Sequence, residues 1–262
     1  MNAVMDIGAG EPLLLLHGFT GCGANWEMAG ITAVLGKQYR LIVPDLLGHG
    51  RAPAPQDPAD YAMPHAAQAL ADLLNQLAIS QTNLLGYSMG GRLALYFALH
   101  YPQRIHKLIL ESASPGLADP TARAQRRHSD NALADRIERD GIPAFVDFWE
   151  SLPLWDSQAK LPLTKQLALR QQRLQNSAHG LANSLRGMGT GVQPSLWDNL
   201  PQLDKPTLLL AGELDAKFVA INQQMVAHMP HARLEIVPQA GHTIHLEQPA
   251  HYAQQVRQFF TA

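Results

Sequence analysis

Short apolar runs alternate with helix-period segments along most of this chain, and the alternation is interrupted once. Leu13–Leu16, Leu41–Val43, Asn83–Leu85 and Lys107–Leu110 are too short for helices and are bounded by Gly, Pro or Asp, so each reads as a strand. Between them Trp26–Leu35, Pro64–Ala78 and Met89–His100 read as helices. In the second, Ala66, Leu70, Leu73, Leu74 and Leu77 recur at helical spacing, and Pro64 suits a first helical turn. Strands alternating with helices of about 10–15 residues build a parallel sheet from βαβ units.

From Gly116 to Asn199 no strand candidate appears. This stretch is rich in Ala, Leu, Arg and Gln, is punctuated by Pro143, Pro153 and Pro162, and reads as several short helices. The alternation then resumes with strand Thr207–Ala211, helix Lys217–His228, strand Arg233–Val237 and a final helix Gln248–Phe260. The expected organisation is a first core part (1–115), a helical cap or lid (116–199) and a second core part (200–262). Connections in compact domains are short, so a helical insert of this size is expected to cover a site rather than to link elements. The lead before Leu13 is short, so any strand ahead of it is expected to be brief or absent.

Composition narrows the functional classes. With 262 residues, 46% hydrophobic and 16% charged, the chain has material for a large core and lacks the composition of disorder. A pI near 6.6 and a net charge of −2 point away from nucleic acid as a partner. The single cysteine, Cys22, rules out an internal disulfide. No apolar stretch approaches the roughly 18–20 residues that span a bilayer, and no signal-peptide pattern opens the chain. A cytoplasmic monomer without a membrane partner is the expectation.

Gly86-Tyr87-Ser88-Met89-Gly90 fits G-x-S-x-G, and it stands between a predicted strand and a predicted helix, the context that this nucleophile motif requires. The glycines permit a strained turn that lifts the serine hydroxyl above the sheet, and the helix N-terminus favours developing negative charge there. A serine of this kind needs a base and an orienting acid, which follow it in the order acid, then histidine. Asp215, in the loop after Thr207–Ala211, and His242, in the loop after Arg233–Val237, both fall at the carboxyl edge of the sheet with Ser88. Glu213 is a rival acid closer to its strand, Asp204 lies on the wrong edge, and His245 competes with His242. His242 and His245 form a two-histidine fragment with no third ligand in view, so neither a metal nor another cofactor is expected.

Together, His17-Gly18-Phe19, Asp45-x-x-Gly48-His49-Gly50, Gly86-x-Ser88-x-Gly90-Gly91 and Gly241-His242 resemble the α/β-hydrolase superfamily over nearly the whole chain. The resemblance implies a mostly parallel central sheet flanked by helices, with a helical cap insert. It also implies an oxyanion hole made by the backbone amides of Phe19 and Met89. More specific strings resemble one branch, the 2-succinyl-6-hydroxy-2,4-cyclohexadiene-1-carboxylate synthases of the menaquinone pathway. These are Gly86–Arg92, Glu111–Leu117, Arg123-x-x-Arg126-x-x-Ser129-Asp130, and Leu181-Ala182-x-Ser184-Leu185-Arg186-x-Met188-Gly189-Thr190-Gly191. Leu47, where Pro is common, and Arg51-Ala52 after Gly50 depart from the pattern without touching the triad.

That branch eliminates pyruvate from a substrate bearing several carboxylates, so the resemblance implies a pocket with fixed positive charge, best supplied by the planar fork of arginine. Arg92, one turn into the helix after Ser88, and Arg126 and Arg173 in the cap are the expected carboxylate binders. Tyr87 is expected to donate a hydrogen bond to the same ligand, and Phe148 and Trp149 to form an apolar wall. Asp130, four residues after Arg126, could instead pair with it. The competing reading is a serine hydrolase (carboxylesterase, thioesterase or C–C hydrolase), which would use the same triad and needs no arginine cluster.

Overall fold

The leucine runs set the sheet. In the computed structural model, which describes residues 3–261, the strands are β1 (Val4–Ile7), β2 (Glu11–Leu16), β3 (Tyr39–Pro44), β4 (Thr82–Tyr87), β5 (Ile105–Glu111), β6 (Thr207–Gly212) and β7 (Ala232–Val237). They form one seven-stranded sheet in the order β1-β3-β2-β4-β5-β6-β7, parallel throughout except for β1. Successive side chains of a strand point to opposite faces, so each run feeds two cores. Leu13, Leu15, Leu41, Leu85, Ile109 and Leu208 lie on one face with Trp26, Leu35 and Tyr252. Leu14, Leu16, Ile42, Leu84, Leu110 and Leu209 lie on the other with Leu70, Leu93 and Phe97. Residues Leu13 to Leu16 are wholly buried, each contributing about 1.5–3 kcal/mol by leaving water.

The helices are α1 (Ala24–Met28), α2 (Ile31–Leu35), α3 (Met63–Gln76), α4 (Met89–His100), α5 (Pro120–Glu150), α6 (Leu163–Leu174), α7 (Ala178–Met188), α8 (Ala216–His228), α9 (Ile244–Glu247) and α10 (Pro249–Thr261). Two differences from the sequence reading have local causes, and a third point, the strand expected to be brief or absent, is brief. The single helix expected over Trp26–Leu35 is two, because Gly30 takes φ 77°, a left-handed conformation that stops one helix and starts the next. A brief strand does precede Leu13: β1 pairs antiparallel with β3 at the sheet edge, half-exposed and without an apolar run to announce it. The first cap helices are not short, since α5 runs for 31 residues with a kink at Gly141 (φ 80°, ψ 171°), after which Pro143 sits in the first turn of a new helical stretch.

Between β5 and β6 the chain forms only helices and turns. Ala134, Ile137, Phe145, Val146, Leu181 and Leu185 of α5 and α7 make a small core of their own there. Phe19, from the loop after β2, packs on that core and also on the sheet's own, so the helical segment sits over the carboxyl edge of the strands. No described helix is long and apolar enough to cross a membrane.

Candidate active site

Ser88 stands at the turn between β4 and α4 with φ 51° and ψ −110°. The residues two positions to either side must be glycines. A Cβ on Gly90 would lie 2.5 Å from the carbonyl oxygens of Leu16 and His17, and one on Gly86 would collide with the Gly90 carbonyl. The strained turn is held from outside, because the Ser88 amide donates to the Glu111 carbonyl of β5 at 2.8 Å.

The structure brings Ser88, His242 and Asp215 together from three loops at one sheet edge. His242 Nε2 lies 3.0 Å from Ser88 Oγ, and His242 Nδ1 lies 2.7 Å from Asp215 Oδ2. The other Asp215 oxygen, Oδ1, caps α8 by accepting the Phe218 amide at 3.3 Å, so the carboxylate is fixed at both ends. Both partners are buried, and Tyr87, Trp155 and Phe218 surround the imidazole with ring centroids 5.5, 5.7 and 4.7 Å away. The rivals are occupied elsewhere. Glu213 accepts the Gln239 amide at 2.9 Å, and His245 pairs with Glu111.

The Phe19 loop is locked from below and above. His17 Nδ1 donates to the Gly18 carbonyl and its Nε2 accepts the Leu46 amide at 2.9 Å, which fixes a neutral ring. Burial pushes its pKa down in the same sense. Asp45 Oδ1 accepts the Gly23 amide and Oδ2 the Arg51 amide, so the Asp45–Gly50 motif serves as the clamp beneath this loop. From the helical segment, Gln172 and Asn176 both donate to the carbonyl of Thr20, itself at φ 66°. Met89 N–H opens α4 and has no partner within that helix. Phe19 and Met89 both line the cavity over Ser88.

That cavity has a volume of about 430 Å³, within the range of small-molecule sites. Arg92 lines it, as do Arg126 and Trp149. Arg92 Nη1 donates to the Met188 carbonyl at 2.8 Å and to Gln193 Oε1 at 2.6 Å, both neutral acceptors. Among the described residues no carboxylate lies within 4.0 Å of it. Desolvation, then the charge of nearby Arg126, lowers its pKa to about 10, so the guanidinium stays charged at neutral pH in a site that disfavours the charge. Arg126 is half engaged, its Nε 2.7 Å from buried Asp130, the i,i+4 pair that the spacing permits.

Three expected ligand contacts are placed differently. Arg173 does not line the Ser88 cavity. Its guanidinium is buried against Trp155, with Nη1 2.9 Å from Glu150 and Nη2 3.2 Å from Gln158, beside a separate void of about 30 Å³. Phe148 faces away, under the Arg136 guanidinium at 4.2 Å, because the kink at Gly141 turns Trp149 rather than Phe148 inward. Tyr87 lines the cavity, but its hydroxyl is engaged with Thr243 Oγ1 at 3.0 Å, and burial raises its pKa far above the ordinary range.

The sequence reading missed Lys217, Phe218 and Trp155, all of which line the cavity. Lys217 has no ion-pair partner among the described residues and stands on α8, across the site from Arg92 on α4. Its signal was positional: it follows Asp215 by two residues, in the first turn of the helix that leaves the carboxyl-edge loop.

A buried Ser–His–Asp relay at the carboxyl edge of a parallel sheet, covered by helices inserted between two strands, defines a class, and the chain belongs to the family with the α/β hydrolase fold, which matches residues 11–249. Within that class it is similar to the 2-succinyl-6-hydroxy-2,4-cyclohexadiene-1-carboxylate synthases. It is 46% identical over 262 residues to a Bacillus subtilis (strain 168) protein provisionally named as such a synthase, covering 99% of this chain and 94% of the relative. It is 34% identical over 249 residues to the synthase of Enterobacter sp. (strain 638), covering 92% and 90%. The solved structure of MenH from S. aureus superposes with a TM-score of 0.95 at 36% identity, covering 100% of this chain and 98% of that one.

Proposed function

We propose that this chain is a carbon–oxygen lyase that eliminates pyruvate from 2-succinyl-5-enolpyruvyl-6-hydroxy-3-cyclohexene-1-carboxylate, giving 2-succinyl-6-hydroxy-2,4-cyclohexadiene-1-carboxylate. The observation that carries the reading is Arg92, a desolvated guanidinium without a carboxylate partner, in the same cavity as Ser88. Hydrogen bonds to two neutral acceptors offset the cost of burying this charge without neutralising it, and an anionic ligand would supply the missing counter-charge. Hydrolysis of a neutral ester has no use for it, and the similarity to named synthases at 46% and 34% identity disfavours the serine-hydrolase reading.

In this reading the Ser88–His242 pair, oriented by Asp215, takes the proton next to the succinyl carbonyl. The electron pair of that C–H bond forms an enolate, whose oxygen is held by the Phe19 and Met89 amides. The enolate then collapses through the ring double bond as the C–O bond to the enolpyruvyl group breaks. The group leaves as an enolate, which takes up the proton that the Ser88–His242 pair holds and becomes pyruvate. Arg92, Arg126 and Lys217 hold carboxylates, and Trp149 closes the apolar wall. Residues 116–199 act as the cap over this site. All these groups come from one chain, which supports a monomer as the active form.

The test follows pyruvate release and substrate absorbance together with purified protein. Acceleration over the spontaneous elimination, lost by at least about 100-fold in Ser88→Ala, is expected. No acceleration overturns the assignment, and a Ser88→Ala protein as active as wild type overturns the role of the serine.

A further inference from the structure

Glu111 is a wholly buried carboxylate that the mechanism above does not use. It ends β5 in register with Tyr87 of β4, one residue before the nucleophile. Its backbone carbonyl accepts the Ser88 amide at 2.8 Å. Its side chain reaches His245, three residues after the histidine of the relay. Oε1 accepts the backbone amide of His245 at 3.1 Å, and both carboxylate oxygens lie 2.9 Å from His245 Nδ1. His245 follows His242 by three residues and is itself buried, with Trp26 against its ring at 4.5 Å and Tyr87 edge-on at 4.8 Å. One residue therefore grips the turn that presents Ser88 and the loop that presents His242.

We propose that Glu111 is a positioning residue that sets the separation between Ser88 Oγ and His242 Nε2, 3.0 Å in this structure. Burying a carboxylate–imidazole pair is a poor route to stability, since apolar side chains of the same volume do as well or better. What this pair supplies instead is direction, because both hydrogen bonds from His245 converge on one carboxylate and fix where the loop begins. Glu111 touches no reacting atom and acts only through the two residues it holds. The inference rests on the Ser88–His242 pair of the reading above, but not on the identity of the substrate.

The experiment uses covalent capture of Ser88 by a fluorophosphonate probe, which needs the pair and not the lyase substrate. Glu111→Gln keeps one oxygen for the two His245 N–H groups and turns an NH2 donor toward Nδ1 where the second carboxylate oxygen accepted from it. His245→Asn keeps an N–H where Nδ1 was, and His245→Leu removes it. Capture by folded Glu111→Gln is expected to slow by about 10- to 100-fold. His245→Leu should slow comparably, and His245→Asn should stay within about threefold of wild type. Pyruvate release should follow in kcat with KM unchanged. Capture of folded Glu111→Gln at the wild-type rate, with only a lower Tm, overturns the proposal and leaves Glu111 a structural residue. If Glu111→Gln does not fold, His245→Leu decides by the same criterion. Wild-type protein that the probe does not label overturns it too. Labelled wild-type protein that releases no pyruvate overturns the lyase assignment and leaves the positioning role standing.

Discussion

Replacing Arg92 by Met should remove most of the activity while leaving stability nearly unchanged, and the two effects come from the same guanidinium. Its pKa falls from the ordinary arginine range to about 10 in the fold, chiefly by desolvation and then by Arg126. At 1.36 kcal/mol for each pKa unit, holding the charge there costs about 3 kcal/mol. The folded-state value lies below the unfolded one, so the cost is fully present below about pH 10 and is relieved only as pH climbs toward the ordinary arginine range. Met removes that cost at neutral pH. It also removes the hydrogen bonds from Nη1 to the Met188 carbonyl and to Gln193 Oε1. Taken at the low end of about 1.5–3 kcal/mol each, since both acceptors are neutral, the two bonds supply about 3 kcal/mol and the opposing terms nearly cancel.

The expected change in Tm is therefore within about 5 °C of wild type, given roughly 2–4 °C per kcal/mol for a domain approaching this size. Activity has no such compensation. Loss of one charge-assisted contact to a substrate carboxylate, about 3 kcal/mol in the transition state, lowers kcat/KM by about 100-fold. The assay couples pyruvate release to lactate dehydrogenase and reads NADH, with calorimetry on the same preparation. A fall in Tm beyond about 10 °C with kcat/KM within threefold of wild type would refute the reasoning, since Arg92 would then be holding the fold rather than a ligand.

Asp215→Asn keeps a residue that caps α8 but turns an amide toward His242, so kcat should drop by about 10³–10⁴ with circular dichroism and Tm preserved. Lys217→Met should raise KM about tenfold with little change in kcat, and should flatten the salt dependence of kcat/KM, because this exposed cation acts through screened attraction. His49, buried beside His17 and Phe19, has its pKa lowered to about 3 by burial first and then by His17. The unfolded state binds that proton near pH 6.5, so stability falls by about 1.4 kcal/mol for each pH unit below that point until about pH 3. Urea unfolding should therefore show about 2 kcal/mol less stability at pH 5 than at pH 7, with His17, lowered by burial in the same direction, adding to the slope. His49→Asn should make the slope shallower, and an unchanged slope would show that His49 is not the group responsible.

How far the site could be read from sequence depended on how locally each residue is determined. Ser88, Asp215 and His242 were legible because each lies in a short string just past the end of a strand, and parallel topology puts all such ends on one edge. The cap was legible as helix and not as geometry. Helical phase accumulates residue by residue, and Gly141 at φ 80° resets it, so nothing before the kink shows whether Phe148 or Trp149 turns inward. Arg173 was misplaced for a related reason, since its partner Glu150 is 23 residues away and on another helix. Arg126 shows the converse, as its partner Asp130 lies at the spacing that sequence does reveal. Glu111 is the instructive omission. Its partner His245 lies 134 residues on, out of reach of any local pattern. A carboxylate closing the apolar run Leu108-Ile109-Leu110 cannot be buried there unpaired, so the sequence already required a donor from a neighbouring loop. The loops neighbouring that strand end are those of β4 and β6. The histidine-bearing loop after β7 reaches it only by folding back across β6, and that is the path by which the base is carried to the serine.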